Sequence, residues 1–332
     1  MNHTTQPDLR SLPTSPLAHA VLGGLAKAPK RLPPWVMMDG EGAGLYERAA
    51  ESSTFYLRRI ERRILERHGA EIVAQAIDDT AGRPMFVELG AGSARQGELV
   101  VRHRADGLFV PTDLAALPLA LAKKRLARTL PGLDVVPFAA AYDEVPTAIA
   151  RLPHPKVVMF LGGGIGRLED RAAVLLLRGI AQAAGEGAAL VLGTDLLKSP
   201  GTLVPAYDDP EGCWEAFAKN ALGRINRELG AAFDTDRFEH VAVWDGDHGR
   251  VDLALRSLVE QTVVVKGVGL TCALEEGELI ALESHAKYDL ARVGRILAAA
   301  GFARERTFLD DRNVYAVHVA RVVGPGAKPT IH

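Results

Sequence analysis

Cysteine is almost missing from this chain: its 332 residues hold two, Cys213 and Cys272. That rules out a disulfide framework and a cysteine-built metal cluster, so no metal site is expected. Two free thiols fit a cytoplasmic protein. A charge of one sign is missing too. Lys and Arg number 39 against 41 Asp and Glu, a formal charge of −2 with the signs interspersed, which leaves no basic footprint for nucleic acid. No apolar run approaches a membrane span. The N-terminus carries no signal-peptide pattern, and its polar, proline-bearing first stretch reads as a loose arm. Low-complexity stretches are few, while 48% of the residues are hydrophobic, so a well-buried globular core is expected. The length suits one large domain or two intimately joined ones.

What is present begins with the stretch from Phe86 to Gly97. Met85, Phe86 and Val87 form a short apolar run suited to a buried strand; Glu88 ends it, and Gly90, Ala91 and Gly92 follow. Glycines there let the main chain turn tightly and approach a ligand that a Cβ would hold off. A strand, a glycine turn and a helix put free N–H groups at the mouth of a parallel sheet, where nucleotide-like ligands bind. The third glycine of a dinucleotide loop is absent, since Arg95 stands in its place. A second strand, Leu108 to Thr112, ends in Asp113, placed to accept hydrogen bonds from ribose hydroxyls. Both NAD and S-adenosylmethionine sites use this arrangement, and an acid in the position of Glu88 is more typical of the methyl donor's site.

From Phe86 to about Leu197, strand and helix alternate. Helix is expected over 117–130 and 172–184. Further strands are expected over 133–139, 156–161 and 188–194. The fourth strand stops at Gly162-Gly163-Gly164 and the fifth at Asp195. This alternation specifies a right-handed βαβ sheet with helices on both faces and ligands outside the carboxyl ends of its strands. Before it, helical patterns cover 17–27, 44–50 and 55–68. In the last of these Leu57, Ile60, Ile64 and Leu65 share a face, and Arg58, Arg59, Arg62 and Arg63 form a solvated face paired with Glu61 and Glu66. After a helix over 214–229, the strands between about 240 and 285 have antiparallel spacing and no place in the minimal sheet. They read as a smaller lid over the ligand end, joined by the N-terminal helices. A helix over 290–300 and strands over 304–309 and 314–322 close the chain.

Several segments together resemble the histidine-specific Nα-methyltransferase family of ergothioneine biosynthesis, as a divergent member. They are FYLRRIERRIL at 55–65, ELGAGS at 88–93, VPTD at 110–113, FLGGGIGRLED at 160–170, LGTDLLKSP at 192–200 and AYDDPEG at 206–212. NRELGAAFD at 226–234, FEHVAVWD at 238–245, LRSLVEQTV at 255–263 and ESHAKY at 283–288 complete the set, in the family's order. The resemblance implies an α/β fold: a Rossmann-like class I methyltransferase sheet with a smaller α+β substrate-binding or lid domain. It implies a flexible arm over 1–30, the cofactor domain over 31–200 and 286–322, and the lid over 201–285. The implied cofactor is S-adenosyl-L-methionine, with S-adenosyl-L-homocysteine as product.

Carried over by position, the cofactor residues are Glu88, Gly90, Ala91, Gly92, Gln96, Asp113, Leu114, Ala141, Tyr142 and Gly162. The substrate residues are Met38, Tyr56, Gly163, Arg167, Tyr207, Glu283 and His285, with Tyr56, Tyr207 and Glu283 as the catalytic set. Methyl transfer to nitrogen needs a neutral amine in line with the sulfonium carbon. The protein then supplies positioning and a polar cage, and tyrosine rings attract a methylated cation.

Departures from the family pattern cluster in the pocket. Met38 stands for a tyrosine, Arg167 for an asparagine and His285 for a serine. On the cofactor side Gln96 replaces a lysine, and Ala140-Ala141-Tyr142 replaces a segment whose acid contacts adenine, with Asp143 displaced. Arg167 suits a carboxylate or phosphate. His285 is either a hydrogen-bond partner or a filler. The expectation is an N-methyltransferase acting on a small amine, an amino acid or derivative, as a cytoplasmic monomer or weak homodimer in natural-product biosynthesis. The alternative is a catalytically weakened methyltransferase-fold protein that binds or regulates, favoured by Ala141 and Gln96. A dehydrogenase is disfavoured by the missing third glycine.

Overall fold

The computed structural model describes residues 15–77, 82–153 and 156–324; most of the expected loose arm lies outside them. The elements begin with α1 (Pro16–Leu25), β1 (Lys30–Arg31), α2 (Gly40–Ala49) and α3 (Leu57–Ala76). Next come β2 (Met85–Leu89), α4 (Arg95–Val101), β3 (Leu108–Asp113), α5 (Ala116–Thr129), β4 (Asp134–Val135) and β5 (Phe138–Ala139). They are followed by α6 (Val145–Ala150), β6 (Lys156–Phe160), α7 (Asp170–Ala184), β7 (Ala189–Asp195), α8 (Pro200–Leu203) and α9 (Cys213–Leu229). The rest comprises β8 (Phe238–Asp245), β9 (Arg250–Ser257), β10 (Gln261–Val265), β11 (Leu270–Leu274) and β12 (Leu279–Ala286). The chain closes with α10 (Leu290–Ala300), β13 (Phe302–Leu309) and β14 (Tyr315–Val322).

Two compact units share the chain: one takes 1–52, 207–243 and 252–283, the other 53–206, 244–251 and 284–332. The second is built on a sheet of order β13-β14-β7-β6-β2-β3-β4, with β5 also on β3. The strands from β7 to β3 run parallel, in the register Leu190↔Val158, Val158↔Val87 and Val87↔Val110. Strands buried on both faces read as unbroken apolar runs, which is why β2, β6 and β7 were legible. On one face Val87, Val158 and Leu190 pack with Leu177 and Ile180 of α7 and Ile296 and Leu297 of α10. The antiparallel pairs β7–β14 and β14–β13 finish the sheet.

The strand expected over 133–139 is instead two short pieces, β4 on Leu108–Phe109 and β5 on Thr112–Asp113. Pro137 stands between them and has no N–H to give to β3. Helix α3 continues past His68 to Ala76. Gly69 lies inside it, where a Cβ would come within 2.7 Å of His103 Nε2 and 3.0 Å of the Leu99 carbonyl oxygen.

The first unit holds a sheet of order β1-β12-β9-β8 and a separate β10–β11 hairpin. The ends of β8, β9 and β12 are grouped with the other unit. Lys30 and Arg31 pair in parallel with Ile280 and Ala281. The Asp39 carboxylate accepts from the Gly42 N–H at 2.7 Å and so starts α2 at Gly40, earlier than the expected Gly44. Along α2 and α9 the Tyr46 ring meets Phe217 at 5.5 Å and Trp214 at 6.2 Å. The expected division set residues 31–52 with the parallel sheet. They are grouped instead with 207–243 and 252–283, through these strand and helix contacts.

Candidate active site

At the carboxyl edge of the parallel strands, Gly90 (φ +62°) and Gly92 (φ +51°) take the left-handed conformation that favours glycine. The turn is sewn to the tip of β3. Ala91 N–H donates to the Thr112 carbonyl at 2.8 Å, and Gly92 N–H donates to Asp113 Oδ2 at 2.9 Å. The other Asp113 oxygen accepts from Ala115 N–H at 2.9 Å. Leu114 beside it is exposed. The Tyr142 ring stands edge-on to Phe160 at 5.1 Å, and its hydroxyl lies 2.7 Å from where a Cβ on Gly90 would sit. Ala141 N–H donates to Glu144 Oε2 at 2.7 Å. At Gly162 (φ +70°) nothing lies within 4 Å of the Cβ position. Gly90, Ala91, Gly92, Asp113, Leu114, Ala141, Tyr142 and Gly162 thus gather at one edge of the sheet.

Glu61 is different. The sequence reading set it on the solvated face of α3, yet it is 0% exposed. Its carboxylate accepts from Gly162 N–H (2.9 Å to both oxygens), Gln96 Nε2 (2.9 Å) and the Tyr315 hydroxyl (2.8 Å). Gly193 of β7 makes room for it, since a Cβ there would collide with the Glu61 carboxylate. Two groups expected on the cofactor side, the Gln96 amide and the Gly162 N–H, are therefore committed to Glu61. Gln96 also donates to the Arg58 carbonyl at 3.2 Å. Glu88 is likewise buried, its carboxyl beneath Gly97, where a Cβ would strike it. Burial raises both carboxyls above the ordinary range; Glu88 goes well above it, pushed further by the Glu61 and Asp113 charges.

At the end of β7 Tyr56 and Asp195, both named from the sequence, meet two lysines that were given no role there. Tyr56 donates to Asp195 at 3.0–3.1 Å, and Lys198 Nζ donates to the Tyr56 oxygen at 2.9 Å and to Asp195 Oδ1 at 2.5 Å. Lys287 Nζ reaches Asp195 Oδ2 at 2.8 Å. Asp195 and Lys287 are 2% and 1% exposed. Burial lowers the pKa of both lysines, against the pull of Asp195. Lys198 Nζ also stands 4.7 Å from the Tyr56 ring centre. Tyr56 is thereby fixed by charged partners on two sides.

The loop from 162 to 167 carries the next set. Gly163 is left-handed (φ +67°). Gly166 presses on the 286 main chain, where a Cβ would sit 2.9 Å from the Ala286 carbonyl oxygen. The Tyr288 hydroxyl donates to the Ile165 carbonyl at 3.2 Å. Arg167, half-buried, closes the turn, and His285 is buried on the last residues of β12. The structure thus sets the Arg167 loop beside the segment that carries His285 and Lys287.

Met38, Tyr207 and Glu283 belong to the first unit. Met38, half-buried, sits between Met37, whose carbonyl accepts from Asn220 at 2.9 Å, and Asp39, which accepts from Asn220 and Arg227 at 2.8 and 2.7 Å. Tyr207 is fully buried, its ring 5.2 Å from Trp214. Its carbonyl accepts from His240 Nε2 at 2.8 Å, which fixes the proton on that ring nitrogen. Burial lowers the His240 pKa. Glu283 is buried near the end of β12.

Among the described residues no group of His, Cys, Asp and Glu could hold a metal ion, and no helix is long and apolar enough to cross a membrane. A family model described as histidine-specific, SAM-dependent methyltransferase matches residues 17–322. Histidine N-alpha-methyltransferase of Mycolicibacterium smegmatis is 34% identical over 310 residues, covering 92% of this chain and 94% of that protein. L-tryptophan methyltransferase of Psilocybe serbica is 24% identical over 332 residues, covering 92% of each. A solved structure of a putative methyltransferase from Thermobifida fusca matches with a TM-score of 0.46 at 14% identity, over 95% of this chain and 96% of that one.

Proposed function

This chain belongs to the SAM-dependent histidine-specific methyltransferase family, and from that premise we propose that it methylates the amino nitrogen of a small amino acid or derivative whose anionic group is bound by Arg167. The residues at the carboxyl edge fit the cofactor. Gly90 and Gly92 hold a left-handed turn that disfavours a Cβ, Gly162 faces open space, and Asp113 lies beside the turn with carboxylate oxygens suited to ribose hydroxyls. Bound there, S-adenosylmethionine supplies a methyl group on a sulfonium centre. Ala141 and Tyr142 would flank the base, with Glu88 and Leu114 beside the turn.

The chain's own residues do the positioning. An amine accepts a methyl group only with its lone pair free, so it must arrive neutral and aligned. Tyr56, held by Asp195 and Lys198, offers a phenol oxygen whose place is set before substrate arrives. By the family resemblance Tyr207, whose carbonyl accepts from His240 and whose ring meets Trp214, is assigned to the amino acid as well, as are Met38, Gly163, Glu283 and His285. Arg167 offers planar, permanently charged donors to a carboxylate. The observation that carries the reading is the 162–167 loop, in which Gly166 is pinned to the Ala286 main chain directly before Arg167.

Relatives named for histidine and for tryptophan set the range of acceptors to try. Isothermal titration with L-histidine in the presence of S-adenosylhomocysteine tests the first: a binding isotherm supports histidine, and no heat at millimolar concentration removes it. The alternative of a protein that binds without turnover rests on Ala141 and Gln96, and of these the Gln96 amide has a structural task, on Glu61. A monomer or weak dimer, free of nucleic acid and working in the cytoplasm, belongs to the same proposal. Light scattering and cell fractionation check it.

A further inference from the structure

We propose that Glu61 makes the cofactor site select by charge: with Glu88 it favours the cationic sulfonium donor over the neutral thioether product, and arrival of the donor expels a proton from this carboxyl pair. The inference rests on the reading of this edge as the S-adenosylmethionine site and adds how donor and product are told apart.

The geometry assigns the proton. Glu61 accepts from the Gly162 amide, Gln96 and Tyr315, all neutral donors, and such an inventory suits an ionised carboxylate. Glu88 has a smaller set: the Gly97 main-chain N–H favours its ionised form, while its Oε2 is buried and makes no hydrogen bond. Glu88 therefore keeps the proton, because a second anion beside Glu61 in a buried place is costly. From β3, Asp113 adds a third acid facing Glu88. The facing cations are Arg58 from α3, toward Glu61, and Arg125 from α5, toward Glu88. Arg125 is already engaged, with Glu98 at 3.0 Å and the Ser93 carbonyl at 2.8 Å. Neutral Gln96 brings no charge to cancel Glu61, so the edge carries more acid than base.

Donor and product differ by one positive charge, on sulfur. A cation at this edge favours the ionised form of Glu88, and by linkage the ionised form favours the cation to the same extent. As pH falls through the titration of Glu88, donor affinity should fall about tenfold in all, whereas product affinity stays level. Once its methyl group has been transferred, the spent cofactor no longer receives this stabilisation and leaves more readily.

The test is calorimetric titration of the full chain, without acceptor amine, with S-adenosylmethionine and separately S-adenosylhomocysteine, in two buffers of different ionisation heat. Within the titration of Glu88 the donor should release up to about half a proton per site and the product none. Glu61→Gln should abolish the difference and reduce the donor-over-product preference about tenfold, the equivalent of one pKa unit. Should that variant unfold, Glu88→Gln keeps the contacts of Glu61 and should release no proton with either ligand. Equal proton release by both ligands, or wild-type release from Glu88→Gln, overturns the inference. Absence of binding by both ligands overturns the cofactor reading with it, whereas binding without differential release overturns the charge selection alone.

Discussion

Replacing Asp195 with asparagine should take the shared carboxylate from Lys198 and from the buried Lys287. In the folded protein Asp195 accepts from Lys198 at 2.5 Å, Lys287 at 2.8 Å and Tyr56 at 3.0–3.1 Å, with Lys287 1% exposed. Asparagine keeps one acceptor oxygen, and its amide turns N–H groups toward an ammonium. Removing one partner of a buried ion pair costs about 3–5 kcal/mol, which for a unit of this size lowers the melting temperature by roughly 10 °C. Burial already lowers the Lys287 pKa, and without Asp195 it drops further, below its unfolded value of about 10.4. The unfolded chain then binds the extra proton, so the stability of the variant should climb with pH through that window. The assay is thermal unfolding across pH of Asp195→Asn and of Asp195→Asn combined with Lys287→Met. The double variant should recover about half of the loss or more, since the buried charge is gone. A single variant within about 0.5 kcal/mol of the parent would refute the reasoning.

Arg167→Asn should raise the substrate KM strongly and leave the cofactor Kd unchanged; equal loss of both would remove Arg167 from the substrate. Gly166→Ala places a Cβ 2.9 Å from the Ala286 carbonyl oxygen; main chain yields poorly, so a loss of about 1–3 kcal/mol is expected by chemical denaturation. For Glu88, whose folded pKa is raised, the folded state keeps a proton that the unfolded chain loses above about 4.3. Its contribution to stability therefore declines as pH rises from there toward the folded value. Glu88→Gln removes that decline, so the cofactor-free variant should gain on the parent from acidic to neutral pH, measured by urea unfolding.

The sheet was legible because its inner strands are short apolar runs, each stopped by an acid or glycine: Glu88, Asp113, Gly162 and Asp195. The glycine turn was legible for the same local reason, and Asp113 does lie beside it. Glu61 was not. It sits in an arginine-rich run that looks solvated, yet it follows Leu57 by four and precedes Ile64 by three, on the buried face of α3. Its partners lie 35, 101 and 254 residues away, a pairing no local pattern encodes. Lys198 and Lys287 stood inside noticed motifs, but only the folded chain brings both to Asp195. The grouping of 31–52 with 207–243 and 252–283 depends in part on β1, two residues long, too short to announce itself.

The most direct measurement offers the purified chain S-adenosylmethionine bearing a deuterated methyl group, with L-histidine, L-tryptophan and other small amino acids, and weighs the products by mass spectrometry. The labelled methyl group should appear on the amino nitrogen of at least one acceptor, with S-adenosylhomocysteine formed in equal amount. Tight binding of the donor with no labelled amine from any acceptor would contradict the account.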